Sequence, residues 1–149
     1  MKPEDIIQYV LQSYEGTVLH PNWGELGIFY NPEEKLTKGV YILTIKLKDG
    51  PNDQASNLNS DGVYRLNVAI EKDTFVKKFG SIPKRPLAGQ TIEMDVNFAA
   101  TDEIIPHPVY GWMSWISVIN PSEQTFEELK PLIDEGYHLA VTKYKKKKI

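Results

Sequence analysis

The chain has 149 residues, no cysteine and a net charge of −3 at pH 7. Its length fits one domain with a core of its own, and the lack of cysteine excludes a disulfide framework, a thiol nucleophile and a thiolate metal site. The N-terminal residues carry acids and no long apolar run, and no stretch approaches the ~18 apolar residues of a membrane-spanning helix. We therefore expect a single soluble domain over residues 1–149, cytoplasmic and without a membrane partner.

Charge is unevenly distributed along the sequence. Five of the 17 basic residues lie in the last seven positions, so residues 143–149 form a basic tail. Residues 1–142 then carry 12 basic and 20 acidic residues, a balance of −8. An acidic body argues against a broad phosphate-binding surface.

The N-terminal segment predicts one helix. Pro3 suits the first helical position, acidic residues follow it, and apolar side chains recur at helical spacing as far as Tyr14. Gly16 then ends the helix, which we expect over residues 3–14.

Alternating apolar residues predict strands between residues 17 and 70. Thr17–His20 and Trp23–Tyr30 are expected to form one strand that is interrupted at Pro21-Asn22. Two regular strands are expected over Val40–Lys48 and Val63–Ile70. Loop 49–62 between the last two is long for a hairpin. Its Asn57–Gly62 run imitates the opening of a calcium loop, but the twelfth position is Val68 instead of glutamate, so we expect a solvated turn.

The C-terminal half predicts two helices and two strands. They are a short helix over Asp73–Phe79 capped by Asp73, strands over Thr91–Asn97 and Trp115–Ile119, and a helix over Thr125–Tyr144 that Pro131 should kink or divide. The sum is an α+β domain with a mainly antiparallel sheet of four or five strands, covered by the N-terminal and the long C-terminal helices.

The segment Pro106–Pro121, PHPVYGWMSWISVINP, contains the best candidate for a functional side chain. His107 lies between two prolines that restrict its backbone, and its ordinary pKa lies near neutrality, so it could act as acid, base or ligand. In the alternative interpretation the prolines shape a turn and His107 satisfies a backbone carbonyl. Tyr110 and Trp112 are expected to be exposed, and Trp115 to lie in the core.

Two polar residues share one face of the third expected strand. Arg65 and Asn67 alternate with the apolar Tyr64, Leu66 and Val68. Because the opposite face is strongly apolar, Arg65 and Asn67 should point into a groove or into solvent. If their face is the core instead, a buried Arg65 needs a carboxylate partner.

The segments 107–141 and 62–75 resemble a bacterial family of uncharacterised proteins that is known only as a domain of unknown function. The shared pattern comprises PHPVY, a tryptophan-led strand, an NPS turn and a terminal helix, preceded by an RLN strand and a Thr-Phe helix. More distantly, the strand and terminal helix are similar to the YjbR/MmcQ-like family. That resemblance implies a compact α+β fold and invites a nucleic-acid role; neither family implies a reaction.

The motifs favour binding over catalysis. Glycine-rich phosphate loops and nucleophile motifs do not occur, and His20, His107 and His138 lack metal-ligand spacing, so we expect no cofactor and no metal. The leading hypothesis is a non-catalytic binding or interaction module for a small ligand or a protein. Its candidate ligand-binding residues are His107, Tyr110, Trp112, Arg65 and Asn67.

Two alternatives stay open at this stage. The first is a small enzyme that uses His107 as its acid or base, which requires a carboxylate or carbonyl that orients the imidazole. The second is a weak nucleic-acid binder in which the tail lysines contact phosphates and the aromatic residues stack on bases. Tyr144, at the start of the tail, is included in that second surface.

Overall fold

The computed structural model describes residues 1–22 and 24–147, and in these residues the chain forms one antiparallel sheet with three helices. The helices are α1 (Pro3–Ser13), α2 (Lys72–Phe79) and α3 (Glu123–Lys145). The strands are β1 (Thr17–Asn22), β2 (Glu25–Tyr30), β3 (Val40–Lys46), β4 (Arg65–Ala69), β5 (Ile105–Pro106) and β6 (Trp115–Ile119). Their order across the sheet is β1-β2-β3-β4-β6-β5. The α+β class with an antiparallel sheet is confirmed, and the single domain over 1–149 stays a prediction.

The strand count of four or five was wrong, because the sheet has six strands. The expected interrupted strand is a hairpin, in which β1 and β2 pair from Thr17 opposite Tyr30 to Asn22 opposite Glu25. Pro21 is tolerated inside β1 because β1 is an edge strand, where a missing N–H need not break the ladder. Gly24 has φ +78° in the connecting turn, a conformation that favours glycine. Trp23 lies outside the described residues.

The C-terminal half differs in two further places. Thr91–Asn97 is not a strand but an irregular segment, and the additional strand is the two-residue β5, paired with β6. The helix α2 has Glu71 as its N-cap, so Asp73 lies inside the helix and does not cap it. The helix α3 starts earlier than expected, because Ser122 is its N-cap and accepts a hydrogen bond from the Thr125 N–H. It runs across Pro131 as one element.

The first face of the sheet is apolar and covered by helices. Leu43 lies opposite Val68 and Ile45 opposite Leu66, and all four side chains belong to one core with Ile6 of α1 and with α3. At Gly136 the helix α3 comes so close that a Cβ would lie 2.5 Å from the Ala69 carbonyl oxygen. The confirmed terminal helices therefore pack on this side.

The second face carries the polar residues of the same strands. Thr44 lies opposite Asn67, which lies opposite Ser117, and Lys46 lies opposite Arg65. All of these except Lys46 are buried. Loop 49–62 and the segment 107–115 approach this face. No helix in the described ranges is both long and apolar enough to cross a membrane.

Candidate functional site

A cavity of about 580 Å³ opens on the second face of the sheet. Strands β1 to β4 form its floor, and loop 49–62 and the segment 107–115 form its walls. Gly27 lies in the floor, where an added Cβ would be 2.7 Å from the Phe29 ring. The missing side chain therefore leaves room for that ring beside Gly27.

One end of the cavity is built around Arg65, whose side chain is completely buried. Both guanidinium Nη atoms donate to the Asp53 carboxylate, with Nη1 to Oδ1 at 3.2 Å and a shorter contact from Nη2 to Oδ2. Nη1 also donates to Ser56 Oγ at 3.0 Å. A buried guanidinium is stable only with a carboxylate partner, and loop 49–62 supplies that carboxylate as Asp53.

Asn67 completes this network beneath the cavity. Its Oδ1 accepts from Arg65 Nε at 2.8 Å and from Ser117 Oγ at 2.7 Å, and its Nδ2 donates to Thr44 Oγ1 at 3.0 Å. Asn67 is 1% exposed and lies outside the cavity lining. It therefore orients Arg65 and does not face the cavity itself.

His107 is fixed by its own backbone turn. Its Nδ1 accepts hydrogen bonds from the N–H groups of Val109 and Tyr110, each at 3.0 Å. The expected bond to a backbone carbonyl is replaced by these two N–H donors. Because a neutral imidazole has one acceptor nitrogen, its proton lies on Nε2, which is 3.5 Å from Arg65 Nη2.

The charge state of His107 follows from its surroundings. Burial, then the positive charges of Arg65 and Lys46, hold the pKa of His107 well below its usual range. The imidazole is therefore neutral at pH 7. With its basic nitrogen engaged by the backbone, His107 is built as a hydrogen-bond donor through Nε2 and is poorly suited to be a general base.

The other end of the cavity is aromatic. Tyr41 packs against Phe29 with ring centroids 4.2 Å apart and against Trp115 at 6.1 Å. Trp115 is half-buried and lines the cavity, so the expectation that it lies in the core was wrong. Tyr110 and Met113 lie at the rim, 50% and 51% exposed. This wall would bind a flat or apolar group.

The structure brings together three of the five sequence-predicted site residues. His107, Tyr110 and Arg65 line the cavity, and Asn67 supports Arg65 from below. Trp112 points elsewhere: it is half-buried and lies outside the lining, with the Arg85 guanidinium 5.0 Å from its ring centroid. The sequence could not predict this contact, because the segment 106–116 contains no basic residue and only the fold brings Arg85 to Trp112.

Sequence reasoning missed Asp53, Lys46 and Tyr41. Asp53 lies in loop 49–62, before the run interpreted as a solvated turn, and its pairing with Arg65 bridges 12 positions without a local pattern. Lys46 and Tyr41 lie on β3, whose alternation was seen but whose faces could not be assigned. The available signal was Arg65 itself, because a strand arginine opposite an apolar face calls for a carboxylate.

Cationic side chains outnumber anionic ones around the cavity. Lys46 lies 3.8 Å from Glu25, and Lys38 stands at the exposed rim. The charged lining residues are Lys38, Lys46, Arg65, Glu25 and Asp53. In residues 1–22 and 24–147, no three histidine, aspartate or glutamate side chains come together as a metal site. The cavity thus has a positive bias inside an acidic protein.

The other two histidines of the sequence lie apart, His20 at the cavity and His138 on the surface of α3. His20 lines the cavity, and its buried Nε2 has no hydrogen-bond partner among the described residues. His138 lies on α3, where it is 3.6 Å from Asp134. Tyr144 is 8% exposed and packs on Tyr30, so it is not available for a phosphate as the second alternative supposed.

Comparison with known proteins gives one result. No curated protein and no solved structure matches the chain. A family model of unknown function, DUF6194, matches residues 1–149 and so covers the N-terminal helix, the sheet and the cavity described above. The chain therefore belongs to DUF6194, a family of unknown function.

Proposed function

We propose that this protein binds a small molecule in the cavity on the second face of the sheet, without transforming it. The observation that carries the proposal is the cavity of about 580 Å³, which has an aromatic wall at one end and the buried Arg65 and His107 at the other. Ligand sites of this size combine apolar walls with a few fixed polar groups. An amphipathic ligand fits both ends at once.

The geometry supports binding more than catalysis. The enzyme hypothesis required a carboxylate or a carbonyl to orient His107, and backbone N–H groups occupy that position. Asp53 is engaged by Arg65 through both of its carboxylate oxygens. The Asp53 carboxylate and the acceptor nitrogen of His107 are thus already engaged, so neither group is poised to act as a base.

A thermal-shift screen of a ligand library tests this function, because a ligand that binds only the folded state raises Tm. Tyr110→Ala should reduce the Tm shift of a hit, since the exposed ring lines the cavity and its loss disturbs little packing. We expect a loss of affinity of up to about tenfold, since one aromatic contact contributes roughly 0.5–1.5 kcal/mol.

Trp112→Ala is the matched control for that experiment. It removes a larger aromatic side chain from the same segment but lies outside the cavity lining. The proposal requires the hit to bind Trp112→Ala as it binds the wild type. If the two variants lose equal ligand affinity, or if Tyr110→Ala binds every hit as the wild type does, the binding site lies elsewhere.

A second candidate, weak single-stranded nucleic-acid binding, is favoured by one contact. Arg85 stacks over Trp112, which pairs an aromatic ring with a cation as stacking platforms do. The YjbR/MmcQ-like resemblance and the basic tail point the same way, but the acidic body opposes it. Binding of a labelled oligonucleotide at moderate salt by protein lacking residues 145–149 would support this candidate, and loss of binding with the tail would reject it.

A further inference from the structure

We propose that the cavity recognises an oxyanion, a carboxylate or a phosphate, that accepts hydrogen bonds from both His107 Nε2–H and Arg65 Nη2–H. This inference rests on the proposed function and names the chemical class of its ligand. It starts from a mismatch between two donors that face each other at the polar end of the cavity.

The first donor follows from the contacts of the imidazole. Two backbone N–H groups point at Nδ1 from 3.0 Å, which only an unprotonated nitrogen can accept. A ring flip would place a carbon against both N–H groups, so the orientation is fixed by the same two contacts. The proton is therefore on Nε2, and Nε2–H needs an acceptor.

The second donor follows from a count of the guanidinium hydrogens. Arginine has five N–H groups. One on Nε serves Asn67, two on Nη1 serve Asp53 and Ser56, and one on Nη2 serves Asp53. The fifth, on Nη2, faces His107 Nε2 at 3.5 Å, where it meets another donor.

An oxygen atom beside this pair would satisfy both groups. With the two nitrogens 3.5 Å apart, one oxygen can lie about 2.9 Å from each, which is the ordinary length of an N–H···O bond. An unmet buried donor is costly, so the site gains most from a strong acceptor. Carboxylate and phosphate oxygens are the strongest acceptors that metabolites offer.

The charge balance favours an anion over a neutral carbonyl. Asp53 neutralises the charge of Arg65. Lys46 Nζ lies 3.8 Å from the Glu25 carboxylate, a longer ion pair, and Lys38 adds a further positive charge at the rim. An entering oxyanion therefore meets surplus positive charge. Burial, and then the positive charges of Arg65 and Lys46, lower the pKa of His107, so the imidazole meets the oxyanion as a neutral donor.

The aromatic wall indicates the chemical character of the part of the ligand that carries the oxyanion. The rings of Phe29, Tyr41 and Trp115 line the same cavity as the donor pair. A ring or short apolar body attached to the oxyanion can lie against them. Benzoate and phenyl phosphate are suitable probes because each joins a ring to one of the two oxyanions, and benzamide is the neutral isostere of benzoate.

The test is an NMR titration of the ¹⁵N-labelled protein that observes the imidazole nitrogens. The free protein should show His107 as the Nε2–H tautomer, and benzoate or phenyl phosphate should shift its Nε2 signal. We expect benzoate to bind at least about tenfold tighter than benzamide, the value of a charge-assisted hydrogen bond. Inorganic phosphate, without a ring, shows whether the oxyanion alone suffices, and the ratio of benzoate to phenyl phosphate affinity shows which oxyanion is preferred.

The variant His107→Asn separates the ligand role from the structural one. Its Oδ1 can replace Nδ1 as acceptor for the Val109 and Tyr110 N–H groups, but it has no donor at the Nε2 position. We expect benzoate affinity to fall about tenfold and benzamide affinity to fall less, because benzamide loses a neutral hydrogen bond and benzoate a charge-assisted one. His107→Gln, which lacks the Nδ1-like acceptor, should instead lower Tm.

Several outcomes would overturn the proposal. An Nδ1–H tautomer in the free protein, or undiminished benzoate binding by folded His107→Asn, contradicts it directly. Equal affinity for benzoate and benzamide rejects the oxyanion but leaves the proposed function standing. If His107→Asn does not fold, the tautomer and the benzoate-to-benzamide ratio of the wild type still decide. If neither these probes at millimolar concentration nor any library compound binds, both proposals fail.

Discussion

The two faces of the sheet bury the same strands by different means. On the first face, Leu43, Ile45, Leu66 and Val68 pack against helices, and burial of apolar area alone stabilises them. On the second face, Arg65, Asn67 and Ser117 are equally buried, but each needs a hydrogen bond in the correct place. The first face therefore tolerates changes of shape, whereas the second depends on complete pairing.

The largest expected effect comes from removing the carboxylate of the second face. Asp53→Ala leaves the Arg65 charge buried and unpaired, so the free energy of unfolding should fall by about 3–5 kcal/mol in urea denaturation. Asp61→Ala, an exposed acid in the same loop, is the control and should change it by less than about 0.5 kcal/mol.

A double substitution sharpens that result. Asp53→Leu combined with Arg65→Met removes both charges, so it should be less destabilising than Asp53→Ala alone. If Asp53→Ala costs no more than Asp61→Ala, the guanidinium has found water or another partner. The contrast between the two faces would then be lost.

A slightly smaller effect is expected on the first face. Leu66→Ala creates a cavity beside Val68 and Ile45 and should lower the free energy of unfolding by about 3 kcal/mol, whereas Leu66→Met should cost less than about 1.5 kcal/mol. Ligand affinity of the folded Leu66→Ala protein should match the wild type, because Leu66 points away from the cavity. A large loss of affinity would show that the two faces are coupled.

The smallest effect concerns pH and His107. The pKa of His107 is lower in the folded than in the unfolded protein. Its contribution to stability is therefore complete above about pH 6.5 and is lost progressively as pH falls from there through the folded pKa. Arg65, Lys46, Tyr110 and Trp115 face the imidazole, and none of them supplies a negative charge to offset protonation.

The measurement is the slope of unfolding free energy against pH between about pH 7 and pH 5. One proton contributes at most about 1.4 kcal/mol per pH unit. His107→Asn should flatten the slope, and His138→Asn, at an exposed position of α3, serves as the control. An unchanged slope in His107→Asn would show that the imidazole is not held neutral by its surroundings.

The sequence predicted the elements better than it predicted their partners. Periodicity located α1, β3, β4, β6 and α3 because each repeats over several turns or pairs. The β1–β2 hairpin was missed because Pro21 resembles a break, and only its edge position makes it harmless. The two-residue β5 is too short to have a period.

The candidate site was predicted in part for the same reason. His107 and Arg65 stand out locally, one between prolines and the other inside an apolar strand. Asp53 and Tyr41 become site residues only through the fold, by contacts that no spacing encodes. Trp112 was predicted to be exposed and Trp115 to lie in the core, whereas both are half-buried. The turn at 111–113 separates the two rings, so that Trp115 lines the cavity and Trp112 does not.

The ion pair between β4 and loop 49–62 has a consequence for folding kinetics. Until Asp53 arrives, the sheet can close over Arg65 only by desolvating a lone charge, which is prohibitive. Loop docking and burial of the guanidinium must therefore occur together. The wall of the cavity that includes Asp53 is thus in place only when this ion pair has formed, so opening of loop 49–62 exposes the guanidinium and dismantles the cavity at once.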